Sequence, residues 1–159
     1  MVVCSKFANT VLASGTGTFV EIPSDYGYVV FAGIASGILL AWQSIQVGKM
    51  RRRFGIHYPI MYSPETTGNG QLFNCYQRAH QNTLENYPLV LMLLFTGGLQ
   101  YPIPAALGGA VWIAGRVAYS KGYYTGDPTK RMRGSFGYLG LAILFGSSSM
   151  FGAKLLGWL

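Results

Sequence analysis

Residues Phe73–Pro88 read FNCYQRAHQNTLENYP, and they place Arg78, Asn82 and Glu85 at i, i+4 and i+7. Positions four and seven apart share one helical face, so these three side chains point the same way. The stretch runs straight into the apolar segment Leu84–Leu99, which is too short to cross a bilayer unless the helix begins near Leu72 and takes the polar row inside it. A cation, an amide and a carboxylate at that depth are costly unless they pair with one another or with a ligand. Arg78 and Glu85, seven residues apart, are long for a direct pair, and this favours a binding face over an intrahelical stripe.

Outward from this row the chain is dominated by apolar segments. Tyr26–Val47, Tyr101–Tyr119 (broken only by Arg116) and Gly134–Leu159 are the other three. Half of the 159 residues are hydrophobic and 11% are charged. Soluble domains carry about 25% charged residues, so lipid is the expected solvent. The expected fold is all-α: one integral-membrane bundle of four transmembrane helices over residues 23–159, behind an extension of residues 1–22. The extension resembles a signal peptide only weakly, since its basic start is thin and its middle insufficiently apolar; it reads as poorly ordered.

The formal net charge of +7 is concentrated in two places. Lys49 and Arg51–Arg53 follow the first span; Lys121, Lys130, Arg131 and Arg133 lie between the third and fourth, while the turn Gln100–Pro104 carries no charge. Both clusters fall on one side of a four-span topology, and the excess of basic residues makes that side cytosolic. The clusters are loop-sized and flank spans, so no nucleic-acid partner is expected. Cys4 and Cys75 are too few for a disulfide framework, and Cys75 reads as a small packing residue. His80 has no second histidine near it in sequence, so no metal site is expected.

The third span carries a second polar face. Arg116, Tyr119 and Tyr123 stand at i, i+3 and i+7, again toward the basic end. The second and third helices are antiparallel neighbours, so the two faces converge beside Lys130, Arg131 and Arg133, with Arg51 and Arg52 opposite. The pocket so drawn is cationic, with Glu85 as its one carboxylate. It suits a small polyanion or zwitterion whose reaction partner arrives from the lipid.

These residues carry a resemblance. FNCYQRAHQNTLENYP, GRVAYSKGYYTGDPTKRMRG (115–134) and RRRFGIHYPIMYS (51–63) together resemble the MAPEG family of membrane-bound glutathione enzymes, most closely its type 3 microsomal glutathione S-transferase branch. The resemblance runs from about Asp25 to Trp158. It implies a homotrimer in the endoplasmic reticulum or nuclear membrane, with the mitochondrial outer membrane as the alternative, binding glutathione at the cytosolic side of each subunit interface. It assigns Arg78, Asn82 and Glu85 to the tripeptide, with Tyr119 and Tyr123 adding hydroxyls and Arg116 supporting the face. From the neighbouring subunit it brings Arg51 to a carboxylate, with Ser44 and His80 as lesser contacts. A guanidinium after the third helix lowers the thiol pKa, and Arg131 is favoured over Arg133 for this role; Arg52 steadies the electrophile. Asn86 stands where the leukotriene-C synthase branch has tyrosine, and His80 where it has glutamine. A cysteine-rich tail of some type 3 relatives is absent, so no lipidation is expected there.

The implied activity is glutathione transfer to lipophilic electrophiles and glutathione-dependent reduction of lipid hydroperoxides. Leukotriene-C synthase activity and a non-catalytic, lipid-presenting member are the alternatives. A non-catalytic member would be expected to lose the contacts that this chain keeps.

Overall fold

The computed structural model describes residues 20–159. The expected extension over residues 1–22 therefore lies mostly outside the described residues. Helix α1 (Tyr26–Arg53) starts after Pro23-Ser24-Asp25 and stops at Phe54, with Gly55 at φ 65°. Glycine takes that left-handed conformation without a Cβ clash, and the Ile56 N–H closes back onto Arg51 O at 3.0 Å. The basic cluster Arg51–Arg53 thus occupies the last turn of α1 rather than the loop after it. Arginine is a good helix former, and cations in the last turn complement the carbonyl end of the helix dipole.

Helix α2 (Gly68–Gln100) runs without interruption through Pro88. Tyr101 alone separates it from α3 (Pro102–Tyr123): its N–H is bonded to Gly97 O at 2.9 Å and its carbonyl accepts from Ala105 N at 3.0 Å. The expected Tyr101–Pro104 turn is therefore a single residue. Pro102 sits at the first helical position, where its missing N–H costs nothing, and it forces Tyr101 out of the helical region. A 3-10 segment, Pro128–Gly134, and helix α4 (Gly137–Leu155) complete the described chain, so the fourth helix lies inside the apolar segment Gly134–Leu159. No strand occurs among the described residues.

Helices α2 and α3 each pack against the other three, and α1 and α4 occupy opposite corners. The main core joins Val29 and Leu39 of α1, Val90, Leu93 and Leu94 of α2, Ala105 and Trp112 of α3 and Leu144 of α4. A smaller cluster of Cys75, Ala79 and Tyr123 lies toward the basic end, which agrees with Cys75 as a packing residue. Small residues let backbones meet along one seam between α3 and α4. A Cβ on Gly115 would stand 2.5 Å from Gly137 Cα, one on Gly140 would strike Gly108 O, and one on Gly134 would strike Gly115 O.

Two helices, Tyr26–Arg53 and Gly137–Leu155, are long and apolar enough to cross a membrane. In each, only 22% of the most apolar window is buried inside the chain. Phe31, Ile34, Ile38, Leu139, Phe145 and Met150 point outward and exposed. A soluble protein rarely presents an apolar face of that extent to water.

A cationic cavity between the second, third and fourth helices

The polar row on α2 forms a continuous chain of contacts. Arg78 Nη1 donates to Glu85 Oε1 at 2.8 Å, and Asn82 Nδ2 donates to Glu85 Oε2 at 3.4 Å. Arg116 of α3 donates from Nη1 to Asn82 Oδ1 at 2.7 Å. The two polar faces expected from spacing do converge, with Asn82 as the link. The direct Arg78–Glu85 pair corrects the reading that seven residues are too long. Seven residues rise about 10.5 Å along a helix, and two extended side chains leaning toward each other close that distance. Both side chains remain over 40% exposed, so the pair is solvent-screened and readily exchanged for other partners.

Arg116 is buried, with Cζ 5.5 Å from the Trp112 ring centre and 5.2 Å from that of Tyr119. The aromatic faces and the Asn82 oxygen hold a guanidinium that, among the described residues, pairs with no carboxylate. Tyr119 and Tyr123 meet edge to face at 5.1 Å. Arg131 Nη1 donates to Tyr123 Oη at 3.0 Å, and this bond pushes the Arg131 pKa further up.

The 3-10 segment delivers Arg131 to that position. Asp127 caps it, accepting from Thr129 N at 3.0 Å and Thr129 Oγ1 at 2.7 Å, which hold its carboxyl below the usual carboxylate range. Gly122 lets the segment lie against α3, since a Cβ there would collide with Lys130 O. Lys130 itself turns away toward Asp127 at 3.6 Å.

These elements enclose a cavity of about 280 Å³ lined by Arg78, Asn82, Arg116, Tyr119, Tyr123 and Arg131. Trp112 and Tyr138 line it as well and did not emerge from the sequence reading. Trp112 stands four residues before Arg116, so helical spacing alone could have added it. Tyr138 has no such signal, because it reaches the cavity only through the return of α4 across the glycine seam. Arg78, Arg116 and Arg131 against Glu85 leave a net charge of two positive on this site.

The remaining sequence candidates lie elsewhere. Arg51, in the last turn of α1, is buried against the first loop, stacked 4.5 Å over Tyr58 and 5.1 Å over Phe73, and donates to Ile60 O at 2.6 Å. Arg51 and Arg52 together line a separate hollow with His57 and Tyr58. Arg133, Glu85 and His80 do not line the cavity; Glu85 acts on it through Arg78 and Asn82. Behind the cavity, buried Gln43 of α1 donates to Thr83 Oγ1 of α2 at 3.0 Å and Ser120 Oγ of α3 at 2.7 Å. Among the described residues, no group of His, Cys, Asp and Glu side chains could hold a metal ion.

Two relatives are similar to this chain over part of its length. An uncharacterized protein of Synechocystis sp. is 35% identical over 101 residues, 63% of this chain and 69% of that protein. Leukotriene C4 synthase of Bos taurus is 37% identical over 89 residues, 55% of each chain. The chain thus spans little more than half the length of that enzyme. The MAPEG family model matches residues 29–150, a range that contains every side chain lining the cavity. The chain belongs to the MAPEG family.

Proposed function

We propose that this protein is a membrane-bound glutathione S-transferase of the type 3 kind that also reduces lipid hydroperoxides. In this reading it has four spans and assembles as a homotrimer in the endoplasmic reticulum or nuclear envelope, basic loops cytosolic. The observation that carries the proposal is the gathering of Arg78, Asn82, Arg116, Tyr119, Tyr123 and Arg131 around one cavity beside an apolar outer surface. Glutathione as its thiolate bears one ammonium, two carboxylates and the sulfur anion, a net charge of two negative. That complements the two net positive charges of the site.

Binding would exchange the Arg78–Glu85 pair for two ligand pairs, Arg78 with a carboxylate and Glu85 with the amino group. Arg131 is the guanidinium for the sulfur: among the three basic side chains of the 3-10 segment it alone lines the cavity. A fixed cation near a thiol favours the thiolate at neutral pH. Attack on an electrophilic carbon forms the S–C bond and expels or opens the leaving group. Attack on a hydroperoxide forms an S–O bond as the O–O bond breaks, releasing the lipid alcohol after protonation. A second glutathione then displaces water from the sulfenic acid and leaves the disulfide.

Similarity to bovine leukotriene C4 synthase favours a second reading, in which the same thiolate opens a fatty-acid epoxide. The test is ultraviolet absorbance of the thiolate in purified, detergent-solubilised protein at neutral pH, with glutathione alone and then with a lipid hydroperoxide or a fatty-acid epoxide. A thiolate signal consumed by hydroperoxide supports the transferase/peroxidase. Consumption by epoxide alone favours the second reading, and absence of both thiolate and glutathione binding overturns each.

A further inference from the structure

The first loop is tied down at two points three residues apart. Arg51 holds Ile60 by its carbonyl, and Asn74 of α2 holds Ser63 by both backbone groups: Asn74 Oδ1 accepts from Ser63 N at 2.8 Å and Nδ2 donates to Ser63 O at 3.0 Å. Only Met61 and Tyr62 lie between these clamps. A tyrosine that merely anchored a loop at the membrane edge would need neither a buried arginine nor a two-way amide bridge to fix it. Glu65 reinforces the arrangement, since its backbone and Cβ occupy the space a side chain at Gly70 would need.

Tyr62 lines a groove of about 320 Å³ together with Thr66, Asn74, Arg78 and Tyr123. Arg78 and Tyr123 also line the cavity described above, so groove and cavity share a wall. Tyr62 and Arg78 thus stand on the wall of one groove. The Asn74 amide is engaged on Ser63, and Gln71, also at the groove, donates to Gly126 O at 3.2 Å. The hydroxyls of Tyr62, Thr66 and Tyr123, the last still able to donate while it accepts from Arg131, and the Arg78 guanidinium are then groups with hydrogen-bonding capacity for a ligand. A phenol can accept from a guanidinium and at the same time donate to a carboxylate.

We propose that Tyr62 acts beside Arg78 in recognising the ligand, and that the groove they share takes a carboxylate-bearing end of the peptide thiol whose sulfur lies in the cavity. This rests on the glutathione reading above. It assigns the first loop a part in recognising the tripeptide, through a side chain that carries no charge and shows no periodic pattern.

The test uses the full-length protein in detergent, its Tyr62→Phe, Asn74→Ala and Arg78→Ala variants, and two ligands: glutathione and its diethyl ester, in which both carboxylates are blocked. Tyr62→Phe is expected to raise the Kd and KM for glutathione about five- to tenfold. Its kcat at saturating glutathione and its KM for the electrophile stay unchanged, and the difference from wild type disappears with the diethyl ester. Asn74→Ala, which loosens the clamp while sparing the phenol, shifts glutathione affinity in the same direction. Equal glutathione affinity in Tyr62→Phe and wild type, with Arg78→Ala impaired, overturns this inference and leaves the function intact. An equal loss for glutathione and the ester also overturns it, since a structural defect would not distinguish them. A wild-type protein that binds no glutathione overturns both.

Discussion

Arg78 and Glu85 hold each other across two turns of α2, and their half-exposed pair is the part of the site most easily rearranged. Arg131 is different: it is held by Tyr123 and, among the described residues, forms no ion pair with a carboxylate. The two arginines should therefore fail differently. Arg78→Ala is expected to raise the KM for glutathione about 10- to 100-fold, the loss of one charge-assisted contact, with a smaller change in kcat. Arg131→Ala is expected to lower kcat about 100-fold while glutathione still binds. Steady-state kinetics with a soluble electrophile separates the two, and equal small effects would reduce both arginines to membrane anchors. Most of this site was legible because its residues recur at helical spacing on two neighbouring helices. The place of Arg51 within its own subunit was not: its charge is plain in the sequence, but two carbonyl oxygens and the Tyr58 ring of a loop without periodicity, with Phe73 of α2, decide where the charge goes.

At the scale of elements, three helices are pinned together by one amide. Gln43 reaches Thr83 and Ser120, whose hydroxyls also donate to Ala79 O at 3.1 Å and Arg116 O at 2.8 Å. Both hydroxyls keep these acceptors if the amide is lost, and the Gln43 carbonyl oxygen has no partner of its own. Gln43→Leu, which fills the same space, is therefore expected to change stability by less than about 1 kcal/mol. Gln43→Ala leaves a cavity and is expected to cost about 2–4 kcal/mol. Thermal unfolding of the two variants in the same detergent checks the difference. Along the glycine seam the expectation is harsher. Gly115→Ala places a methyl group against the backbone of Gly137, which cannot yield as a flexible side chain would, so α4 must shift. We expect a loss of about 2 kcal/mol or more and, in any folded fraction, weakened glutathione binding as Tyr138 and Arg131 move off the cavity. The number, order and approximate length of the helices were readable from apolar runs and turn residues. Their meeting at backbone distance was not, since glycine in an apolar run signals close approach without naming the partner.

For the whole molecule, the question is how a cavity with three guanidinium groups coexists with an outer surface of isoleucine, leucine and phenylalanine. The four-span topology proposed above, with basic loops facing the cytosol, would answer it, and labelling can examine it directly. In a background with both cysteines replaced by serine, Lys130→Cys is expected to react with a membrane-impermeant maleimide added to the cytosolic face of sealed microsomes. Gln100→Cys is expected to react only after permeabilisation. Labelling of both without permeabilisation would remove the four-span arrangement. The glycine seam has one more result at this scale. Because main chain meets main chain there, the α4 side of the site takes its position from α4's inner glycines and is indifferent to the residues on the helix's outer side. Leu139, Phe145 and Met150 can therefore drift with the thickness and composition of different host membranes while the cavity behind them keeps its dimensions. Adaptation to an apolar surrounding and preservation of a cavity's shape are in this way written on opposite sides of a single helix.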